Sequence, residues 1–255
     1  MRLKVLGCSG GIGAGMRTTS FLVGRHTLID AGTGVGDLSV AELAQIDQVF
    51  LTHAHLDHVA MLPLMVDTVG AMRSKPLTVY ATSATLAMLT AHVFNWHIWP
   101  DFREIPDPAS PWMRFVPFEL GDTLQVETNL TVTALPALHT VPAVAYQLDS
   151  GQHSLVFSGD TTINDDFWPA LNAIANLKTL IIETAFCNRE RALAEASRHL
   201  CPAMLASELS RMTRPAEIYI THLKPGEVEL TMQEIGEDAA AFHPRMLKNG
   251  QILEF

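Results

Sequence analysis

The sequence predicts an α/β protein of two packed, mixed β-sheets with helices on the outside, and three observations carry that expectation. The hydrophobic period changes repeatedly along the chain, with short β-branched runs alternating with helical ones. Strand-like runs outnumber helical ones. The early and middle strands follow one another in hairpin-like pairs, which a purely parallel, doubly wound sheet would not contain.

The chain opens on the apolar run Leu3–Leu6, read as a first strand. Ser20–Val23 and Thr27–Ile29 form the first close pair, and Gln48–Leu51 and Leu77–Tyr80 are short apolar runs flanked by helical stretches. Between and after them, Met61–Met72 and Ser83–Val93 carry apolar residues at helical spacing. Strands follow at Arg114–Phe118, Thr131–Leu135, Ala143–Gln147 and Leu155–Ser158, the last two joined by a turn at Asp149-Ser150-Gly151. A turn or two of helix around Trp168–Ala175 leads to the strand Thr179–Ile182. Helices are expected at Arg189–Arg198, Pro202–Met212 and Met232–Ala241, with the strand Glu217–Ile220 between the last two. Cys201-Pro202 falls where a helix restarts, since proline is favoured in a first turn.

At 255 residues, and with no internal repeat or low-complexity tract, residues 1–255 are read as one domain. An apolar content of 48% argues against disorder, and no stretch approaches the roughly 18 uninterrupted apolar residues of a membrane helix. The formal net charge of -10 repels a phosphate backbone, and no basic patch offsets it, so stable nucleic-acid binding is not expected. Cys8, Cys187 and Cys201 are too few and too scattered for a disulfide framework, and no CxxC pair marks a thiolate metal site; a reducing, cytoplasmic setting is expected. The apolar run before Cys8 is too short for the ~7-residue core of a secretory signal.

The least regular stretch, Trp96 to Trp112, holds four prolines and the aromatics Trp96, Trp99, Phe102 and Trp112. Two readings stand: an ordinary surface loop with packed aromatics, or a substrate lid whose rings stack on an apolar part of the substrate.

Chemistry begins at Thr52-His53-Ala54-His55-Leu56-Asp57-His58, directly after the apolar run Val49–Leu51. Imidazoles and a carboxylate packed this densely at a strand end aim several hard or borderline donors into one small volume, as zinc requires. Such a donor set also accepts iron or manganese. A G-x-S-x-G match at Gly7-Cys8-Ser9-Gly10-Gly11 competes as a nucleophile elbow. That elbow must open a helix, and Gly10-Gly11-Ile12-Gly13-Ala14-Gly15 is too glycine-rich for one. A loop near the metal mouth fits better.

The H-x-H-x-D-H pattern resembles the metal motif of the metallo-β-lactamase superfamily, whose fold is an αββα sandwich, and the remaining family positions follow in order. Ala137-Leu138-His139 resembles the isolated third histidine, Phe157-Ser158-Gly159-Asp160-Thr161 the strand-end aspartate, and Ile220-Thr221-His222 the last histidine. The resemblance implies two divalent ions: His53, His55 and His139 would hold one, Asp57, His58 and His222 the other, and Asp160 would bridge them. Asp30 in Thr27-Leu28-Ile29-Asp30-Ala31-Gly32 would support the ligands rather than bind metal. Ala60 departs from the family, many of whose members carry glycine there.

Two further segments, Ile182-Glu183-Thr184-Ala185-Phe186 and Ser197-Arg198-His199-Leu200, resemble a glutamate and histidine beside the metals in the superfamily's phosphodiesterases. Together with Tyr219-Ile220-Thr221-His222-Leu223-Lys224-Pro225 they are most similar to class II cyclic-nucleotide phosphodiesterases. By resemblance, Asp57, Glu183 and His199 are catalytic, with His199 protonating the leaving oxygen of a small phosphodiester such as 3′,5′-cyclic AMP or GMP. Cys201, two residues from His199, is a weaker ligand candidate because the matched set already fills a dinuclear site. The alternatives are a tRNA 3′-processing-type endonuclease, a hydrolase of a β-lactam, lactone or thioester, and a metal-stabilised binding domain without turnover. Bacterial tRNA-processing members insert a basic arm between the third histidine and the bridging aspartate. Here only Thr140 to Gly159 separate His139 from Asp160, without a lysine or arginine. A homodimer is the expected assembly.

Overall fold

The computed structural model describes residues 1–255. The first half of the chain contributes β1 (Arg2–Gly7), β2 (Ser20–Val23), β3 (Thr27–Ile29), α1 (Val40–Leu43), β4 (Gln48–Phe50), α2 (Leu56–Val59), α3 (Met61–Val69), β5 (Leu77–Ala81), α4 (Ser83–His92) and β6 (Met113–Pro117). The second half contributes β7 (Thr123–Glu127), β8 (Leu130–Pro136), β9 (Val144–Asp149), β10 (Ser154–Phe157), α5 (Phe167–Asn172), β11 (Leu177–Glu183), α6 (Arg191–Ser197), α7 (Pro202–Leu209), β12 (Glu217–Thr221), α8 (Val228–Asp238), β13 (Arg245–Met246) and β14 (Ile252–Glu254).

These strands make two seven-stranded sheets, ordered β14-β1-β2-β3-β4-β5-β6 and β13-β12-β11-β10-β9-β8-β7. Both are mixed. In the first, β14 through β3 pair antiparallel and β3 through β6 parallel; in the second, β7 through β10 pair antiparallel and β10 through β13 parallel. The parallel halves explain the helices, because a crossover between parallel strands must run back along a face of the sheet.

Alternation along the strands sorts the core into three layers. Val5, Phe21, Ile29 and Phe50 from the first sheet meet Val132, Tyr146, Phe157 and Ile181 from the second. Phe21 stands edge-on to Phe157 at 4.9 Å, and Phe50 edge-on to Tyr146 at 5.7 Å, so aromatic pairs bridge the sheets. Opposite faces of the same strands, such as Val49 and Val79, pack under Leu62, Val66 and Leu86 of α3 and α4. Val156, Leu180 and Ile220 likewise pack under Leu171, Leu205 and Ile235 of α5, α7 and α8.

The sandwich of mixed sheets follows the sequence expectation, with local differences. Strands β7, β13 and β14 and the one-turn helices α1 and α2 were not expected. β7 alternates polar residues on an edge, β13 and β14 are very short, and a four-residue helix is too brief to establish a period. The helix expected at Met61–Met72 ends at Val69, where a 3-10 turn over Gly70–Met72 takes over. α8 begins four residues earlier than the expected Met232, at Val228.

The loop from Trp96 to Trp112 is placed far from the histidine motif, which corrects the reading of Trp96, Trp99, Phe102 and Trp112 as substrate-binding residues. The motif follows the carboxyl end of β4, where Phe50 pairs with Tyr80 near the end of β5. Trp112 precedes β6, whose first residue Met113 pairs with Leu77 at the opposite end of β5. α4 spans that length, so the loop after it starts at the wrong end of the sheet. Phe102 is buried beneath Trp112, and Trp99 and Trp112 pack on the helix-covered face of the first sheet. Trp96 is on the surface.

Candidate metal centre and active site

The chemical groups gather at the carboxyl ends of strands, the usual place for a site in sheets with parallel strands. β4 delivers Thr52, His53 and His55, and the single turn α2 carries Asp57 and His58. β8 ends shortly before His139, β10 before Asp160, β11 on Glu183, and β12 before His222. Two bonds fasten the first sheet's motif to the second: Val144 N–H donates to the Thr52 carbonyl at 3.0 Å, and Tyr146 Oη donates to the Leu51 carbonyl at 2.8 Å. Gly159 turns β10 toward the cluster at φ +59°, a left-handed conformation that glycine adopts without a Cβ penalty.

His53, His55, His139 and Asp160 offer one group of donor atoms within 4.8 Å of one another, and Asp57, His58 and His222 a second. A third grouping joins Asp160, His199 and His222. Asp160 lies between the groups: its Oδ1 is 3.3 Å from His58 Nε2 and 3.2 Å from His222 Nδ1, and its Oδ2 is 3.7 Å from His53 Nε2. Asp57 Oδ2 is 3.7 Å from His222 Nε2. All the residues picked from the histidine motif, together with His139, Asp160, Glu183, His199 and His222, therefore converge. Cys201 does not join them; it caps α7 ahead of Pro202. No helix opens at Ser9, whose loop instead lies against the last histidine, with His222 N–H donating to the Cys8 carbonyl at 2.8 Å.

Three of the rings, those of His53, His58 and His139, have an outer nitrogen held by a partner that fixes the tautomer. Asp30 Oδ2 accepts from His58 Nδ1 at 2.7 Å, and His139 Nδ1 donates to the Arg198 carbonyl at 3.0 Å. Thr52 Oγ1 donates to Asp30 Oδ2 at 2.8 Å, which leaves it to accept from His53 Nδ1 at 3.0 Å. Arg198 is tied to His139 twice, because its guanidinium also donates to the His139 carbonyl at 2.7 Å. Neither Thr52 nor Arg198 was singled out from sequence, although each immediately precedes a histidine that was.

Inward, the donor set fits divalent cations. His53 Nε2, His58 Nε2, Asp160 Oδ1 and both ring nitrogens of His222 are buried and make no hydrogen bond within the chain, an arrangement that costs free energy unless a cation is there. Burial pushes His139 down to about 4 and His222 to about 3, only partly opposed by Asp160, so both rings stay neutral with lone pairs available. His53 is lowered by the same burial. For His58, burial is outweighed by Asp160 and Asp30, which hold it well above the ordinary imidazole range.

Beside this cluster, Glu183 is fully buried and accepts three bonds: from His199 Nδ1 at 2.7 Å, from Thr161 N–H at 3.1 Å and from Leu200 N–H at 3.3 Å. Burial raises the Glu183 carboxyl, an effect that His199 only partly offsets. His199 feels the same burial in the opposite sense, but Glu183, by charge and hydrogen bond, holds it above its ordinary value. The His199 ring stacks on His222 with centroids 5.1 Å apart and lies 4.9 Å from that of His139.

Two mixed sheets between helix layers, with a histidine and aspartate cluster at the strand ends, define a metallo-β-lactamase fold. Sequence comparison agrees: the beta-lactamase superfamily domain matches residues 25–240, and the chain belongs to that family. It is 27% identical over 203 residues to the Yersinia pestis protein described as "Probable 3′,5′-cyclic-nucleotide phosphodiesterase", covering 71% of this chain and 57% of that one. It is 31% identical over 109 residues to the nuclear ribonuclease Z of Triticum aestivum, covering 43% of this chain and 58% of the relative. The chain thus spans little more than half the length of these relatives. The crystal structure of unliganded yeast PDE1 shares the fold at a TM-score of 0.81 and 16% identity, with 100% and 99% of the two chains covered.

Proposed function

We propose that the chain is a metal-dependent phosphodiesterase that opens a small phosphodiester, 3′,5′-cyclic AMP or GMP, to the 5′-monophosphate. The observation that carries this reading is the buried Glu183–His199 pair, bonded at 2.7 Å and set against the metal-ligand cluster. Hydrolysis of a β-lactam has no need of such a pair. A phosphodiester does, because an alkoxide leaves poorly from phosphorus without a proton.

Residues 1–255 act in this reading as one domain holding two ions, with zinc preferred by the donor types. His53, His55 and His139 would hold one ion, Asp57, His58 and His222 the other, and Asp160 both. When bound, the ions supply Lewis acidity that ionises water near neutral pH and neutralises phosphate oxygens. The chain's own residues do the rest. As water adds to phosphorus and the bond to the 3′-oxygen breaks, His199 delivers its proton to that oxygen, and Glu183 stabilises the ring while it is charged and fixes its direction. Asp57, whose side chain is 27% exposed, would take part from the open side of the cluster. The connection from His139 to Asp160 supports a small substrate, since it consists of β9, β10 and a tight turn and carries no basic arm. Three free cysteines suit a cytoplasmic setting, and no helix is long and apolar enough to cross a membrane.

His199→Ala tests the assignment. Metal content should persist while turnover of cyclic AMP falls ~10²–10⁴-fold, the usual size of an acid–base contribution, with a smaller loss on bis(p-nitrophenyl) phosphate, whose leaving group needs little help. Equal losses on both would remove the proton-donor role. Efficient trailer removal from precursor tRNA without opening of cyclic nucleotides would replace the substrate and leave the metal centre standing.

A further inference from the structure

With the aromatic loop at the far end of the sheet, the organic part of the substrate needs another seat. A groove of about 480 Å³ opens beside the cluster and shares His139 with it. That volume lies within the range of about 300–1,000 Å³ that holds a small organic ligand. Its walls come from segments distant in sequence: the loop after β8, the amino end of α4 and the turn after β6. Leu120, Leu138, Val141 and Pro142 are among the apolar residues that make up about half its lining, and Glu119 and Arg198 are its charged members.

Two of these apolar residues are uncovered in a way that core packing does not explain, with Leu120 59% and Leu138 41% exposed. The far wall is fixed in place. Glu119 Oε1 accepts from Ser83 N–H at 2.7 Å, and Thr82 caps α4 by accepting from Thr85 N–H at 3.2 Å. The Arg198 guanidinium, also in the lining, makes one intramolecular hydrogen bond, to the His139 backbone carbonyl, and so keeps further donors for a ligand. Apolar walls with a few polar groups are the usual form of a small-molecule site.

We propose that this groove is the subsite for the organic portion of the substrate: Leu120, Leu138, Val141 and Pro142 receive a flat apolar group such as a nucleobase, and Arg198 binds the oxygens nearest the phosphorus. The inference rests on the phosphodiesterase reading. It assigns the choice of substrate to the loops after β6 and β8.

The test uses the metal-replete full chain as wild type, Leu120→Glu and Arg198→Met. Leu120 is exposed, so its charge lands in the groove without entering the core. Calorimetric affinity for cyclic AMP, read with a phosphorothioate analogue that resists turnover, metal content, and KM for cyclic AMP and for methyl p-nitrophenyl phosphate are measured. A charge placed against an apolar ligand should weaken cyclic AMP binding ~10-fold or more in Leu120→Glu, as should loss of the guanidinium in Arg198→Met, with metal content unchanged. Unchanged cyclic AMP affinity in both variants would overturn the groove assignment. If the wild type hydrolyses diesters but does not bind cyclic AMP, the cyclic-nucleotide reading has failed and the groove is judged by its preference for bis(p-nitrophenyl) over methyl p-nitrophenyl phosphate. Loss of that preference in Leu120→Glu would support the subsite, and its retention would overturn it.

Discussion

Asp30→Asn separates support of the metal ligands from support of the fold. Asp30 is buried, sits at φ 56° and accepts three bonds: Oδ1 from Thr52 N–H at 2.8 Å, Oδ2 from the Thr52 hydroxyl at 2.8 Å and from His58 Nδ1 at 2.7 Å. Asparagine keeps the shape and tolerates the left-handed backbone, but one acceptor becomes a donor. If the new NH2 faced Thr52 N–H, two donors would meet in a dry site at a cost of about 1–3 kcal/mol. The opposite orientation avoids this. There the Thr52 hydroxyl turns to accept, and His58, left without an acceptor at Nδ1, keeps its proton on Nε2, which can donate to Asp160 Oδ1, 3.3 Å away. The Thr52 hydroxyl keeps an acceptor for its own proton only at His53 Nδ1, 3.0 Å away, which requires that ring to carry its proton on Nε2 as well; the groups around residue 30 are then satisfied, yet the nitrogens of His53 and His58 that would bind metal carry protons. The expected outcome is a metal affinity ~10–100-fold weaker, the usual effect of losing a partner behind a ligand, worth about 1.4–2.7 kcal/mol. Metal-free protein should unfold within a few degrees of wild type, since about 1 kcal/mol moves a domain of this size by roughly 2–4 °C. Chelator-competition titration and thermal unfolding read the two quantities. Unchanged metal affinity with a large drop in unfolding temperature would refute the tautomer argument and leave Asp30 a purely structural residue.

Metal-replete protein should carry two divalent ions per chain by elemental analysis, and Asp160→Ala should lower occupancy of both because its oxygens face both donor groups. Adding a chelator in excess should lower the unfolding temperature of wild type, as ions that bind only the folded state stabilise it by mass action; an unchanged midpoint would show that the cluster holds no ion. Phe102→Ala should cost about 3–5 kcal/mol in urea unfolding, because the ring is buried in the outer core, while leaving KM unchanged. Trp96→Ala should alter neither quantity, and a raised KM would return the loop to the active site.

The parts of the site that were legible in the sequence were those with dense local spacing or a chemical type that is rarely spent on structure. His53, His55, Asp57 and His58 declare themselves within one short segment. His139, Asp160 and His222 lie far apart in sequence and could be sought only because a family pattern fixed their order. Strand runs such as Ser20–Val23 and Thr27–Ile29 were readable because both faces are buried, leaving uninterrupted apolar segments. β7 was not, since none of its residues is buried and three of the five are polar. The aromatic loop misled for a related reason: aromatic content marks packing as readily as ligand binding, and only strand register shows at which end of a sheet a loop emerges. The groove beside His139 was invisible because its walls come from segments with no shared sequence signal.

Backbone conformation adds a constraint that spacing could not reveal. Asp30, Arg198 and His222 all adopt positive φ, at 56°, 53° and 64°, and all three sit at the site. A non-glycine residue held there costs of order 1–3 kcal/mol and persists only where its surroundings determine it. Here those surroundings are the site itself. At Asp30 the turn aims a carboxylate at His58; at Arg198 it points a carbonyl at His139 while His199, the next residue, swings onto Glu183; at His222 it sends both ring nitrogens toward Asp160 and Asp57. Glycine at Arg198 would relieve the strain and keep the carbonyl, but it would remove the guanidinium that grips the His139 backbone. Arg198→Gly should therefore leave unfolding stability within about 1 kcal/mol of wild type, with the glycine gain in the folded state opposed by its greater freedom in the unfolded chain. Turnover should fall together with cyclic AMP affinity. A variant with full activity would show that the backbone turn alone positions His139 and His199, and that the Arg198 side chain is dispensable to both.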